Sequence, residues 1–336
     1  MLISICIPTY NRPKSLINCL NSLAVQTNKN FEVCISDNCS DANIKKLIQP
    51  FKKKLIIRFN RNNKNLGFAL NLLKVSKMSK SEFIWFLGDD DLLVNNAIAK
   101  LTNLIKKNKD SDFFWINSYY LNFEYLNKFP YPFHTKNLPL KMKRHSPQKK
   151  NRKLKFYDLI DPKISFDFLL GIFVCVFRSK KWHENLHVID KKLIKDKRTW
   201  SNFENTCFFI KVFCSAFSRS DAFLCAKPLT VSLHGIREWG DLYPMVEIVR
   251  IPEALDYYRS KGLKFSKYFI AKNFALRNFF NYFIKILLNG EKMGLKYISM
   301  KKHFFPSLLF PNAWLSVIYY IFRKITLLFK SINHQS

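Results

Sequence analysis

What this chain lacks narrows its chemistry first. Glycine is scarce, eight residues in 336. Neither Gly-x-Gly-x-x-Gly nor a Walker-type loop occurs, which argues against dinucleotide oxidoreductases and P-loop enzymes. The eight cysteines form no C-x-x-C pair and no zinc-like cluster. Several lie inside apolar runs such as Ile3–Ile7 and Phe173–Phe177, so they read as reduced, buried small hydrophobes in a reducing compartment. The N-terminus enters a strand pattern at residue 2, with no basic stretch and no cleavage site before it, so no signal peptide is expected. No apolar run reaches the ~20 residues of a membrane span. The nearest, residues 304–329, is broken by Pro306 and Pro311, and its uninterrupted part, 313–322, runs straight into Arg323 and Lys324. Acids are also few: 24 Asp and Glu stand against 56 Lys and Arg, a net charge of +32. That imbalance implies an anionic partner, whether nucleic acid, an acidic membrane surface or a phosphorylated substrate.

What is present is an alternating pattern. Apolar runs at Leu2–Ile7, Phe31–Ser36, Leu55–Phe59 and Phe83–Leu87 read as strands. Helical spacing fills the intervals at Ser15–Val25, Ile44–Gln49 and Phe68–Ser79. Strand and helix alternating every ~25 residues predict an α/β fold with a mostly parallel sheet flanked by helices. Each strand ends in a polar cluster, and in such sheets these ends converge on one ligand-binding edge. Further strands are expected at Phe113–Ser118, Gly171–Phe177 and Ala222–Ala226, and a helix at Phe203–Phe217. Residues 136–155 hold nine Lys or Arg, two Pro and no acid, and read as an exposed basic loop. A polar loop with His234, Arg237 and Trp239 follows the last strand, a candidate contact for a diphosphate or an acceptor. From Lys264 on the pattern is helical, basic and rich in aromatics. The segment after Phe304 suits either packing on its own domain or lying in a membrane interface.

The centre of the pattern is Phe83-Ile84-Trp85-Phe86-Leu87-Gly88-Asp89-Asp90-Asp91. A buried strand here delivers three carboxylates in a row, which repel one another and need a counter-charge. A hard divalent cation with oxygen ligands is the usual one. The plainer alternative is an acidic turn capping a helix over Leu92–Lys107.

Four motifs in order, Ile7-Pro8-Thr9-Tyr10-Asn11-Arg12, Asp37-Asn38-x-Ser40, Asn65-x-Gly67 with Asn71, and Leu87-Gly88-Asp89-Asp90-Asp91, resemble the family 2 glycosyltransferases, most closely the abequosyltransferase-like branch of bacterial surface-polysaccharide enzymes. The resemblance is good over residues 1–110, loose over Gly171–Arg237, and does not reach the tail. It implies a GT-A, Rossmann-like domain over 1–240, with a nucleotide-sugar-binding half (1–110) and an acceptor-side half (111–240). A helical extension over 241–336 would follow. It implies an inverting transfer from a nucleotide-diphospho-sugar with Mg²⁺ or Mn²⁺, and a nucleotide pocket built from Pro8, Thr9, Asn11, Arg12, Asp37, Asn38, Asn65, Gly67 and Asn71. Gly88 takes the first slot of the family's Asp-x-Asp. Asp90 is then the expected main metal ligand, with Asp91 behind it and Asp89 on the ribose or a metal-bound water. The family's general base, an acid at the start of a later helix, maps to Glu204, with Asp196 in reserve; a first-turn Glu that merely complements the helix dipole fits Glu204 as well.

Under this reading the positive charge has a use, since the donor diphosphate, a lipid-linked saccharide acceptor and an anionic membrane surface are all negative. The expected location is cytoplasmic, peripheral on the inner face of the plasma membrane, with no nucleic-acid partner. Three rivals stand beside it. A nucleic-acid-binding protein fits the charge, although the basic residues are spread out and no recognised motif appears. A nucleotidyltransferase would need a glycine-rich basic loop after the first strand, where Thr9–Pro13 has no glycine. A non-catalytic relative would not be expected to keep the acidic triplet.

Overall fold

In a computed structural model, which describes residues 1–235, 239–318, 320 and 321, the first apolar run becomes strand β1 (Ile3–Thr9). It is flanked by β2 (Phe31–Asp37) and β4 (Phe83–Phe86), and β3 (Ile57–Arg61) lies beyond β2, all parallel. Every residue of β2 and β4 is buried, as expected of parallel strands covered on both faces. The covering helices are α1 (Pro13–Ala24), α2 (Ile44–Leu47), α3 (Phe68–Lys77) and α4 (Ala97–Lys107). Pro13 opens α1, where its missing N–H costs nothing.

Four further strands complete the path of the sheet: β5 (Asp91–Leu93), β6 (Ser111–Asn122), β9 (Cys175–Arg178) and β10 (Asp221–His234). The order is β3-β2-β1-β4-β9-β6-β10-β5, and β7 (Lys143–Arg144) and β8 (Arg152–Lys155) pair with β6 and β10. The short helix α5 (Ser179–Glu184) and the longer α6 (Glu204–Phe217) lie after β9.

Four local expectations change. The stretch from Leu92 does not begin a helix: Asp91–Leu93 pairs with β10, and α4 starts at Ala97 behind a left-handed Asn96 with no acid in its first turn. The triplet therefore does not cap that helix. Residues 136–155 are not simply an exposed loop, since β7 and β8 dock this segment on the sheet and bury His145 and Ser146. Ile172–Val174 is a 3₁₀ turn, so β9 starts only at Cys175. The last strand does not stop at Ala226 but runs past Pro228 to His234, the proline falling where the pairing with β6 shifts register. All eight cysteines are free, and seven of them are buried.

The described residues divide into two compact units. The first comprises 1–199 and the residues from Glu204 to 235, and the second comprises Trp200–Phe203 and the described residues from 239 on. The excursion of Trp200–Phe203 left no mark in the sequence pattern. The second unit is helical, with Ile251–Ser260, Phe265–Ala275 and Phe279–Asn289 as its main helices. At its centre Arg250, 2% exposed, donates to the carbonyls of Trp200 and Ser201 and to Glu253. Glu253 also accepts from Lys302 and faces His303. Burial alone would raise its pKa, but the His303 hydrogen bond and the charges of Arg250 and Lys302 outweigh it and bring the carboxyl to about 2.

A depressed carboxyl pKa contributes stability that is present above the unfolded value and lost as pH falls through the folded one. Glu253→Gln should therefore destabilise this unit at neutral pH by on the order of 3 kcal/mol. Urea unfolding of wild type and variant should show the gap closing between about pH 4.5 and pH 2. A gap that does not change with pH would overturn this account.

Candidate functional site

The register of the parallel strands puts their ends in step. Thr9 pairs with Asp37 and Asp37 with Arg61, while Cys6 pairs with Phe86. The loops that follow are then sewn together by backbone bonds from Asn38 N to Thr9 O, Asn62 N to Asp37 O and Leu87 N to Cys6 O. Residues far apart in sequence thus share one edge.

At that edge the Thr9 hydroxyl donates to Asp89 Oδ2 at 2.7 Å. Arg12 Nη1 lies 3.2 Å from Asp90 Oδ2 and 3.7 Å from Asp89 Oδ1. The counter-charge that the triplet requires is therefore supplied in part by the loop after β1. Asp91 turns inward, its Oδ2 accepting from Gly88 N at 3.0 Å. Gly88 lets these carboxylates sit where they do: a Cβ would stand 2.6 Å from Asp90 Oδ1 and 2.8 Å from Asp91 Oδ2, and both side chains would have to move. An acid in this slot would drive a third carboxylate into the other two.

The nucleotide-side residues form two polar clusters. Asn11 exchanges hydrogen bonds with Asp41, and its backbone N–H donates to Ser40. Buried Asp37 accepts from Ser40 N at 2.9 Å and Arg61 Nη1 at 2.7 Å. In the second cluster Asn38 bonds Asn65, Asn62 and Leu66 N, and Asn71 bonds Ser36 and Asn62. Gly67, at φ +84°, caps α3 from a conformation that disfavours side chains, and the backbone of Lys197 packs where a Cβ would go. This brings the Asp196–Arg198 loop against the Asn65–Gly67 loop. Pro8, one residue before the end of β1, pairs with Ser36 of β2.

The two candidate bases differ in setting. Glu204 is 2% exposed; its carboxylate accepts from Asp190 N and lies 2.7 Å from Lys211 Nζ. Asp196 grips Arg198 through both oxygens, at 3.0 and 2.7 Å. His234 ends β10 and is exposed, while Arg237 lies outside the described residues. The sequence reading missed Arg61, Asn62 and Ser36, although each borders a polar strand end that it had singled out. It also missed a buried group of Tyr120, His145, Ser165 and Asp167, because His145 sat in the stretch read as a loop.

Among the described residues no group of three or more His, Cys, Asp and Glu side chains is arranged to hold a metal. The chemistry of the triplet still suits a hard cation: its side chains offer only carboxylate oxygens, and Mg²⁺ commonly takes one or two of these, with water and substrate phosphates completing its shell.

Residues 4–168 match the family model described as glycosyl transferase family 2. Over 114 residues the chain is 36% identical to the abequosyltransferase RfbV of Salmonella typhimurium, covering 33% of this chain and 34% of that protein. Over 109 residues it is 36% identical to the poly(ribitol-phosphate) beta-N-acetylglucosaminyltransferase TarP of Staphylococcus aureus, covering 32% of this chain and 33% of that one. The matched stretch is thus about a third of the length of these relatives. Among solved structures, S. aureus TarS 1–349 in complex with UDP-GlcNAc aligns with a TM-score of 0.57 at 18% identity, covering 88% of this chain and 78% of that one. That likeness carries the fold, which is GT-A. Residues 4–168, which supply the four parallel strand ends of this edge, are a family 2 glycosyltransferase domain by sequence and resemble the abequosyltransferase branch.

Proposed function

We propose that the protein is an inverting glycosyltransferase that moves a sugar from a nucleotide-diphospho-sugar to a hydroxyl of a growing, lipid-linked surface glycan, with Mg²⁺ or Mn²⁺ at the acidic triplet. One observation carries the reading: four strand ends converge, and Arg12 bridges from the first to Asp89 and Asp90 at the fourth. Two relatives are named for sugar transfer, one of them onto poly(ribitol-phosphate), which supports a sugar donor over a nucleic-acid partner or a nucleotidyl transfer.

In this reading Asp90 and Asp91 hold the cation and Asp89 fixes Thr9 and Arg12. A bound divalent cation would stabilise the charge that grows on the departing diphosphate. Arg12 offers the diphosphate a second positive group. The Asn38–Asn65–Gly67–Asn71 cluster and the Asn11, Asp37 and Ser40 turn form the nucleoside side. Glu204, shielded and bound to Lys211, suits anchoring α6 better than taking a proton. Asp196 holds Arg198 through both oxygens, next to Lys197, which packs on Gly67.

The second unit exposes Leu287, Leu288, Phe305, Leu309, Trp314 and Leu315, each half or more accessible. Among the described residues no helix is long and apolar enough to cross a membrane. Exposed apolar and aromatic side chains on a basic chain suit the interface of an anionic bilayer, which is where a lipid-linked acceptor is found. The proposed location is therefore peripheral, on the cytoplasmic face.

A thermal-shift panel of UDP, dTDP, CDP and GDP, each with and without Mn²⁺, should give one base-selective stabilisation that needs the metal. Asp90→Asn should remove the metal-dependent part, and Gly88→Ala should weaken it by displacing Asp90 and Asp91. If no nucleoside diphosphate stabilises the wild type, the transferase reading fails. Separately, the protein should sediment with vesicles containing anionic phosphatidylglycerol, and Leu288→Glu with Leu309→Glu should cut the bound fraction at least tenfold. Equal sedimentation by wild type and variant would remove the membrane role.

A further inference from the structure

Away from the triplet, one group of side chains has the form of a proton relay. His145 is 7% exposed, Asp167 8% and Ser165 2%. His145 Nε2 lies 3.2 Å from Asp167 Oδ2 and 2.9 Å from Ser165 Oγ, and Ser165 donates to Asp167 Oδ1 at 2.5 Å. His145 Nδ1 is in hydrogen-bond contact with the Tyr120 hydroxyl. The remaining faces of the imidazole meet the rings of Trp115, Phe166 and Phe173.

The hydrogen bonds assign the tautomer. Ser165 spends its proton on Asp167, so both groups within reach of His145 Nε2, Ser165 Oγ and Asp167 Oδ2, face it as acceptors and place the proton there. In the neutral imidazole Nδ1 is then the acceptor for the Tyr120 hydroxyl. An acid orienting an imidazole that in turn faces a hydroxyl is the general arrangement by which proteins draw the proton off a hydroxyl.

The setting is built at some cost. Phe168 and Leu169, both fully buried, follow Asp167 with φ +49° and +73°. Two consecutive non-glycine residues in the left-handed region are strained, and such strain concentrates at functional sites. A Cβ on Gly171 would collide with Asp167 Oδ2. The loop is also pinned to β4, the strand that leads into the triplet, by Trp85 Nε1 donating to Phe173 O at 2.8 Å.

The sheet register connects this group to the triplet. Asp91 of β5 pairs with Ser232 of β10, and Ser232 pairs with Tyr120 of β6. Paired residues share a face. The alternate residues Leu92, Val231, Leu233, Tyr119 and Leu121 all pack into one apolar cluster on the opposite side. Asp91, Ser232 and Tyr120 therefore form one row on one face, with the Cα atoms of Asp91 and Tyr120 about 10 Å apart, two strand spacings.

Resting on the transferase reading, we propose that Tyr120 is the group that receives the acceptor proton, with His145 and Asp167 as the positioning pair that draws it away. The acceptor oxygen bonds to the anomeric carbon while the bond from that carbon to the donor phosphate oxygen breaks, its electron pair leaving on the nucleoside diphosphate. The acceptor proton passes to the Tyr120 oxygen as the Tyr120 proton passes to His145 Nδ1, and Asp167 balances the imidazolium. Water can stand in for the acceptor, which makes the step measurable as slow donor hydrolysis.

The test follows nucleoside diphosphate release from UDP-GlcNAc, UDP-glucose, dTDP-rhamnose, CDP-abequose and GDP-mannose with Mn²⁺, alongside binding of the corresponding diphosphates. Tyr120→Phe should lower the release rate about a hundredfold or more, within the range of general acid–base catalysis, and leave diphosphate binding unchanged. Asp167→Asn, whose amide would donate to Nε2 and turn the Nδ1 proton toward Tyr120, should lower the rate similarly, with KM for the donor retained. If the folded Tyr120→Phe variant, judged by its melting temperature, releases diphosphate at the wild-type rate, the group is only a structural clasp and the relay is overturned. If the wild type binds no diphosphate and releases none, the transferase reading fails and the relay with it.

Discussion

Three carboxylates in succession at the end of a buried strand set the constraint on which the rest depends. Like charges this close each raise the cost of ionising the others, unless positive charge or donors compensate. Here the compensation comes from another strand end: Arg12 reaches Asp89 and Asp90, and Thr9 donates to Asp89. Meeting the electrostatic need thus ties the loop after β1 to the loop after β4. Part of the compensation is thus a partly exposed guanidinium, a group that an anionic ligand at this edge could also meet.

The neighbouring loops solve a different problem. They must be held rigid near that charge without adding to it, in a chain already strongly positive. The Asn38, Asn62, Asn65 and Asn71 amides do this with neutral groups, each able both to donate and to accept. Where charge is used, at Asp37, it is matched at once by Arg61. The result is a fixed polar rim, and rigid positioning of this kind is what phosphate and sugar recognition requires.

How much of this was legible follows from how local the signals were. The first four strands, their helices and their polar ends depend on continuous apolar runs and short spacings, and residues 1–90 fold as their pattern indicates. Gly88 was legible as a departure from the family motif, but what it lies against was not: the Asp90 and Asp91 oxygens crowd the place a Cβ would take. The setting of Glu204 was illegible for a similar reason. A first-turn acid looks the same in sequence whether it faces a substrate or, as here, Lys211 and the Asp190 amide. The basic stretch at 136–155 misled because its strands are two and four residues long, below the reach of any periodicity, and owe their pairing to β6 and β10.

The farthest-reaching of these non-local effects is the irregularity in β10. Between Cys225 and Thr230 this strand spends five residues where β6 spends two, from Ile116 to Ser118. The difference is odd, so the alternation of faces flips. Pro228, which cannot donate to a ladder, falls inside the irregular stretch and does no harm there. Before it, Phe223 and Cys225 share the large core with Phe114 and Ile116. After it, Val231 and Leu233 turn to the smaller cluster, and Ser232 lines up between Asp91 and Tyr120. Had the first register continued, Leu229 would stand opposite Tyr120, and an apolar side chain would interrupt the row. The bulge therefore converts an ordinary core strand into one whose outer half carries polar groups across the sheet, and a proline that looked like a strand terminator marks the place where this happens.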